Sequence, residues 1–143
     1  MPAVAVAHTG MAAVAIIGGS SPDDSLGVAL ERIQPRDAEF LAQAFSEHER
    51  RQLGTVEEES RLEWVTRLWC VKEALANAVG FGRVAGPAAV TIAEVDRATG
   101  VVFARMSGAL AQRAPHLRET LVKVCTACAG GLVVASKVCE RRG

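Results

Sequence analysis

Apolar residues in the first part of the chain form short runs separated by turn residues. Two such runs, residues 3–7 and 11–17, flank His8-Thr9-Gly10 and predict a pair of strands joined by a tight turn. A polar loop over residues 18–25 follows, and a third apolar run over residues 26–33 predicts another strand that ends before Pro35. This part of the chain is therefore predicted to be β-structure.

A helical pattern replaces the short runs after residue 36. Residues 36–45 have helical spacing, and Ser46-x-x-Glu49 is a capping box that predicts a second short helix ending near Gly54. A long helix is predicted over residues 58–79, stopped by Gly80 and Gly82. Its buried stripe is predicted to consist of Trp64, Leu68, Val71, Leu75 and Val79.

The second half of the chain returns to strand-like runs. Strands are predicted over residues 88–95, 101–106 and 121–127, with a short Ala-rich helix over residues 110–114. Gly130-Gly131 predicts the turn of a C-terminal hairpin that continues over residues 132–139. The order of strands, helices and strands indicates an α+β fold, with a mainly antiparallel sheet packed against one long helix. The length of 143 residues fits one domain over residues 1–143.

The composition excludes several classes of protein. Half of the residues are apolar and 22% are charged, which predicts a folded chain. Sixteen basic and sixteen acidic residues give a formal charge of zero, which argues against a general nucleic-acid-binding protein. The apolar N-terminus lacks a basic start and is interrupted by His8 and Gly10, and no apolar run approaches the ~18 residues of a membrane helix. We expect no membrane association and a cytoplasmic location.

Four cysteines raise the alternative of a zinc or redox protein: Cys70, Cys125, Cys128 and Cys139. A C-x-x-C pair is half of a common zinc site or a redox pair, but no second pair follows it. Residues 125 and 128 lie in a predicted strand, where side chains three apart point to opposite faces and cannot easily share a metal. Ordinary reduced cysteines are therefore expected.

A few charged residues stand beside the predicted apolar elements. Glu31 ends the third strand in Gly27-Val28-x-x-Glu31, while Lys72 and Glu73 lie next to the buried stripe of the long helix. Asn77 follows Glu73 by one helical turn. Each of these, taken alone, also fits an ordinary solvated surface.

Together these segments resemble the 4′-phosphopantetheinyl transferase superfamily. The resemblance rests on the order and spacing of four segments: His8-Thr9, Gly27-Val28-x-x-Glu31, residues 45–50, and Trp69-x-x-Lys72-Glu73-Ala74. It covers residues 5–139. Members of this superfamily move phosphopantetheine from coenzyme A to a serine of an acyl or peptidyl carrier protein. The length is closer to the holo-acyl-carrier-protein synthase type, or to a terminal domain of a polyketide synthase.

The resemblance implies a role for each matching residue. Glu31 and Glu73 would be Mg²⁺ ligands, and Glu73 would also help to deprotonate the carrier serine. Lys72 would contact a phosphate of coenzyme A, and His8, with Thr9 in the same segment, would bind the 3′-phosphate. Attack of the serine on the β-phosphate would release 3′,5′-ADP.

Two positions depart from the superfamily's pattern. Ala29 occupies the position of the aspartate that is the principal metal ligand, and Asn77 replaces a lysine while keeping the ability to hydrogen-bond phosphate. Weaker Mg²⁺ and coenzyme A binding are expected. The site could work with a water in place of the aspartate, the chain could be a non-catalytic relative, or it could be an engineered variant. The rival function is a non-catalytic coenzyme A or carrier-protein binding module of a polyketide synthase.

The expected partners are an acidic carrier protein and further copies of the chain. Candidate residues for carrier docking are Arg36, Arg50, Arg51, Arg61 and Arg67. The alternative is a solvated surface on which the neighbouring glutamates Glu47, Glu49, Glu57, Glu58 and Glu59 balance these charges. By resemblance, a homo-oligomer is expected, specifically a trimer with coenzyme A at the subunit boundaries and with His8 and Glu73 on opposite sides of one cleft.

Overall fold

The N-terminal strands form a separate two-stranded sheet. A computed structural model describes residues 3–10, 12–18, 26–79, 86–113 and 120–137. Strands β1 (Ala3–His8) and β2 (Ala13–Gly18) pair antiparallel, and a tight turn joins them in which the Thr9 amide donates to the Ala12 carbonyl at 2.8 Å. The predicted hairpin is confirmed.

The main sheet has five strands in the order β3-β7-β6-β5-β4, with every neighbouring pair antiparallel. Its strands are β3 (Gly27–Arg32), β4 (Val90–Asp96), β5 (Val101–Met106), β6 (Val122–Ala129) and β7 (Leu132–Lys137). Gly130 and Gly131 adopt φ values of 59° and 76° in the β6–β7 turn, a conformation that favours glycine. The last predicted strand also included residues 138 and 139, which lie outside the described residues.

Four helices accompany the sheet: α1 (Ala38–Ala44), α2 (Glu47–Gly54), α3 (Glu58–Ala78) and α4 (Gly108–Arg113). The predicted capping box starts α2, because the Ser46 side chain accepts from the Glu49 amide and the Glu49 side chain accepts from the Ser46 amide. Residues 87–89 form a 3₁₀ turn, so β4 begins two residues later than predicted. Gly80 and Gly82, the predicted stop signals of α3, lie outside the described residues. No helix in the described part of the chain has the length and apolar character needed to cross a membrane.

Helix α3 lies at the centre of the core. Four of its five predicted stripe residues are buried, while Val79 follows the helix and is half-buried. The helix also buries Cys70, Lys72 and Ala74, so its enclosed surface is wider than one stripe. The predicted α+β fold, a mainly antiparallel sheet packed against one long helix, is confirmed.

Gly27 allows β3 to contact α3 through the backbone. A Cβ atom at this position would collide with the Ala74 carbonyl oxygen and would lie 2.7 Å from the Ala78 Cβ. The Asn77 side-chain amide reinforces the contact by donating to the Val28 carbonyl at 3.0 Å. Because the two backbones are so close, side chains at the far end of β3 lie beside those of α3.

Candidate functional site

A cavity of about 610 Å³ opens where the N-terminal hairpin, β3 and α3 meet. Its apolar lining includes Val6, Leu30, Phe40, Trp69 and Pro87. Among the described residues, its polar lining consists of His8, Glu31, Gln34, Arg36, Lys72, Glu73 and Asn77. The cavity can therefore receive a ligand that has both an apolar and a charged part.

Most of the residues singled out from the sequence line this one cavity. His8 comes from β1, Ala29 and Glu31 come from β3, and the remaining three, Lys72, Glu73 and Asn77, come from α3. His8 and Glu73, expected on opposite sides of a cleft, line the cavity of a single chain. Thr9 is not among the described residues that line it and lies in the β1–β2 turn.

The carboxylates of Glu31 and Glu73 lie close to the same buried thiol. Burial raises the pKa of the Cys70 thiol, and the negative charges of Glu73 and then Glu31 raise it further. Glu31 also forms an ion pair with Arg36 at 3.5 Å, in which each side chain is 20% exposed. Two carboxylates from different elements thus face one cavity, and Arg36 lies beside the Glu31 carboxylate.

An aromatic group supports the Arg36 side of the cavity. The Arg36 guanidinium lies over the Phe40 ring, 4.6 Å from its centroid, and the Phe40 and Trp69 rings pack edge to face with centroids 5.1 Å apart. These contacts hold the guanidinium at the cavity wall. Sequence reasoning found Trp69 as part of a motif but missed Phe40 as its partner.

The residues present suit a magnesium ion that is only partly coordinated by protein. Ala29 lines the cavity with a buried methyl group and offers no oxygen ligand. The described residues contain no cluster of three or more histidine, cysteine, aspartate or glutamate side chains placed to hold a metal. Mg²⁺ commonly uses one or two protein carboxylates and completes its shell with substrate phosphates and water. Glu31 and Glu73 match that donor set.

Lys72 is held in a buried ion pair. Its ammonium donates to the Glu49 carboxylate at 2.8 Å and to the Pro87 carbonyl at 3.3 Å. The Lys72 and Glu49 side chains are 3% and 1% exposed. Burial lowers the pKa of the Lys72 ammonium, and the hydrogen bond and charge of Glu49 oppose that shift. The contact of Lys72 with a coenzyme A phosphate stays a prediction.

Glu49 lies next to the site, and the sequence did not predict that it pairs with Lys72. The sequence placed it in the capping box, in the residues 45–50 motif and among the glutamates of a possible solvated surface, yet it is buried and its second carboxylate oxygen accepts from the Ile92 amide of β4 at 2.7 Å. The sequence did contain a signal for the burial of Glu49. The residue lies four positions from both Phe45 and Leu53, and this spacing places it on the buried face of α2. The identity of its partner was not available from the sequence pattern.

The candidate arginines differ in how strongly neighbouring groups hold them. Arg67 bonds to Glu63 and to Thr126, Arg61 donates to the Val56 carbonyl, and Arg51 pairs with Glu47 on the exposed face of α2. Arg50 is also exposed on α2. Glu49 is wrongly included among the glutamates of a solvated surface, because it is buried and paired with Lys72. For the exposed arginines, carrier docking and a solvated surface both stay predictions.

The cysteines are arranged as strand geometry predicts. Cys125 is exposed and Cys128 is half-buried, and the two alternate across β6. Cys70 is buried in α3, and Cys139 lies outside the described residues. The C-x-x-C pair is therefore poorly placed to share a metal ion.

Comparison with known proteins adds an independent observation. Residues 25–129 match the family model ACPS, described as the 4′-phosphopantetheinyl transferase superfamily. The N-terminal hairpin precedes this matched part of the chain. No curated protein sequence gives a significant match.

Three solved structures share the fold. A holo-(acyl-carrier-protein) synthase from Bacillus anthracis, in complex with CoA (3′,5′-ADP), has a TM-score of 0.61 and 18% identity over 80% of this chain and 93% of its own. A holo-[acyl-carrier-protein] synthase from Thermotoga maritima has a TM-score of 0.58 and 18% identity over 82% of this chain and 64% of its own. The apo-ACPS structure from Chronobacterium ammoiniagenes has a TM-score of 0.59 and 22% identity over 80% of this chain and 94% of its own.

Proposed function

The chain belongs to the 4′-phosphopantetheinyl transferase superfamily, and from that membership we propose that it transfers 4′-phosphopantetheine from coenzyme A to a serine of an acyl or peptidyl carrier protein. The observation that carries the proposal is the single cavity that collects His8, Glu31 and Glu73 from three elements. Coenzyme A combines a charged pyrophosphate with apolar and aromatic parts, and the mixed lining of the cavity suits such a molecule.

The proposed reaction assigns one task to each of these side chains. Glu73 accepts the proton of the carrier serine hydroxyl while the serine oxygen bonds to the β-phosphorus of coenzyme A. The bond between that phosphorus and the bridging oxygen breaks, and 3′,5′-ADP leaves with the electron pair. His8, at the hairpin edge of the cavity, binds the 3′-phosphate.

Glu31 and Glu73 are the residues that would hold Mg²⁺. When bound, the ion offsets the negative charge of the pyrophosphate. Glu31 must then share its carboxylate between the ion and Arg36, which lies 3.5 Å away. Ala29 removes one carboxylate from this set. We therefore propose that the chain binds Mg²⁺ weakly and transfers phosphopantetheine at a low rate.

A non-catalytic coenzyme A or carrier-protein binding module is the second candidate. Ala29 favours it because a methyl group cannot ligate a metal. Asn77 favours it as well, because its amide is already bonded to the Val28 carbonyl.

Intact-mass analysis of an apo carrier protein tests the proposal. The carrier is incubated with coenzyme A and saturating Mg²⁺, with either the unaltered chain or its Ala29→Asp variant. We expect slow addition of one phosphopantetheine by the unaltered chain and addition at least tenfold faster by the variant, since one ligand is restored. Glu73→Gln is the matched control and should abolish the mass increase in both backgrounds.

The other outcomes separate the two candidates. Transfer by the variant alone would assign a binding role to the chain as it stands. Failure of both proteins to modify any carrier, combined with absence of coenzyme A binding, would overturn the proposed function. The trimer is a further proposal, which sedimentation at several protein concentrations tests.

A further inference from the structure

Lys72 and Glu49 form a connection between four parts of the fold. Lys72 belongs to α3 and Glu49 to α2, while the Pro87 carbonyl belongs to the 3₁₀ turn and the Ile92 amide to β4. The Lys72 ammonium also lies 5.3 Å from the centroid of the Phe45 ring. The two buried side chains therefore fix the relative position of these segments.

One of the connected segments is the edge of the cavity. Gly86 and Pro87 line the cavity together with Lys72, and Lys72 precedes Glu73 directly in α3. The bond from Lys72 to the Pro87 carbonyl holds this edge against the helix that carries Glu73. A change in the ion pair should therefore alter the shape of the site through this edge, and a change at Glu49 does so from outside the cavity lining.

The charge arrangement limits what Lys72 can offer to a phosphate directly. The negative charge of Glu49 lies 2.8 Å from the ammonium, so the pair is neutral as a unit. An ammonium has three N–H donors, and within the described part of the chain two of them are taken by Glu49 and Pro87. Among the described residues of the cavity lining, Arg36 and His8 are the other basic side chains, and neither is paired with Glu49 in this way.

We propose that Lys72 and Glu49 act as one positioning unit, which sets the Pro87 edge of the cavity for coenzyme A, in place of the direct phosphate contact that the family resemblance implies for Lys72. The proposal rests on the proposed function, because it assumes that the cavity binds coenzyme A. Glu49 and Lys72 are both positioning residues, because each acts through the ion pair. Lys72 also holds the Pro87 carbonyl, and Glu49 also holds the Ile92 amide.

Two single variants give opposite expectations for the two roles. If the pair is one unit, Glu49→Gln and Lys72→Met should each weaken coenzyme A binding by a similar factor, about tenfold, since each releases the same edge. If Lys72 instead contacts phosphate, Glu49→Gln removes the compensating negative charge and should preserve or strengthen binding, while Lys72→Met weakens it. If the pair is one unit, the double variant should bind coenzyme A as well as each single variant does. If Lys72 contacts phosphate, the double variant should bind more weakly than Glu49→Gln.

Calorimetric titration of the folded protein with coenzyme A measures these affinities. The titrations are run well below each variant's unfolding temperature, so that a loss of stability alone leaves the dissociation constant unchanged. Glu47→Gln is the matched control, because Glu47 belongs to the same helix but pairs with Arg51 on the exposed face. Its affinity should equal that of the unaltered chain.

A third variant covers the case in which the neutral substitutions do not fold. Glu49→Asp keeps the charge but is too short to reach both Lys72 and the Ile92 amide, so binding should weaken several-fold. Unchanged affinity in Glu49→Asp, or in both Glu49→Gln and Lys72→Met, would overturn the positioning role. Absence of binding by the unaltered chain would instead overturn the proposed function, and this inference with it.

Discussion

Two ion pairs border the same cavity, and they differ in their access to solvent. The Lys72–Glu49 pair has a 2.8 Å separation and side chains that are 3% and 1% exposed. The Arg36–Glu31 pair has a 3.5 Å separation, and both of its side chains are 20% exposed. A ligand entering the cavity can compete for Arg36 or Glu31, whereas the first pair is almost fully buried and offers a ligand far less access to either partner.

The difference arises from the elements that carry the acidic residues. Glu49 lies on the buried face of α2, where the Ser46 and Ile92 amides also donate to it. Glu31 lies near the end of β3, where Arg36 reaches it from the segment before α1. Burial with several hydrogen bonds produces a structural pair, and partial exposure at a cavity wall leaves a carboxylate available for chemistry.

The largest expected effect is the loss of stability when one partner of the buried pair is removed. Lys72→Met leaves the Glu49 charge buried without its cation and should lower the free energy of unfolding by about 4 kcal/mol. Arg36→Met, the matched substitution at the half-buried pair, should lower it by less than about 1 kcal/mol. Urea unfolding measures both values. Equal losses would mean that the difference in burial does not separate the two pairs.

The contact between β3 and α3 places the strand of Glu31 beside the helix of Lys72 and Glu73, and Gly27 is a restrictive position in it. Gly27→Ala should lower the free energy of unfolding by about 3 kcal/mol, because the added Cβ would collide with the Ala74 carbonyl oxygen. Gly54→Ala is the control, since a Cβ there meets nothing within 4 Å. A stable Gly27→Ala variant would show that β3 can move away from α3, and Glu31 should then lose its place beside Glu73.

The two pairs also show which parts of the molecule can be predicted from sequence. Strand and helix positions followed from local periodicity and turn residues, as in the hairpin turn after His8 and the capping box at Ser46. Glu31 and Glu73 were found because they belong to recognisable motifs. Glu49 was not assigned to Lys72, because 23 residues separate them and only the packing of α2 against α3 brings them together. Long-range pairing of this kind leaves no periodic signal in the sequence.

The dependence of coenzyme A binding on Mg²⁺ should distinguish the role of Glu31 from that of Glu49. Glu31→Gln removes a proposed ligand, so the Mg²⁺ concentration that gives half-maximal coenzyme A binding should rise about tenfold. Glu49→Gln weakens coenzyme A binding through the cavity edge, and its Mg²⁺ requirement should stay the same. Titration of each variant with Mg²⁺ at fixed coenzyme A concentration checks this. A shifted requirement in Glu49→Gln would contradict the separation of the two sites.

A third ion pair is more exposed than the other two, and charge reversal on its helix should have the smallest effect. Arg51 and Glu47 pair on α2 with side chains that are 75% and 71% exposed, and Arg50 lies exposed beside them. An acidic carrier protein that docks on α2 would be attracted to these arginines. Charge reversal by Arg50→Glu and Arg51→Glu should therefore slow carrier modification about threefold and leave coenzyme A affinity unchanged, because neither residue lines the cavity.

The control for this last prediction is a charge reversal away from α2. Arg105 is exposed on β5, so Arg105→Glu changes the net charge by the same amount as either single arginine variant. Rates of carrier modification at low and high salt should differ between the unaltered chain and the α2 variants, with the difference shrinking as salt screens the charges. An equal effect of Arg105→Glu would mean that the carrier responds to overall charge. Docking on α2 would then have no support, and the glutamates around these arginines would simply balance a solvated surface.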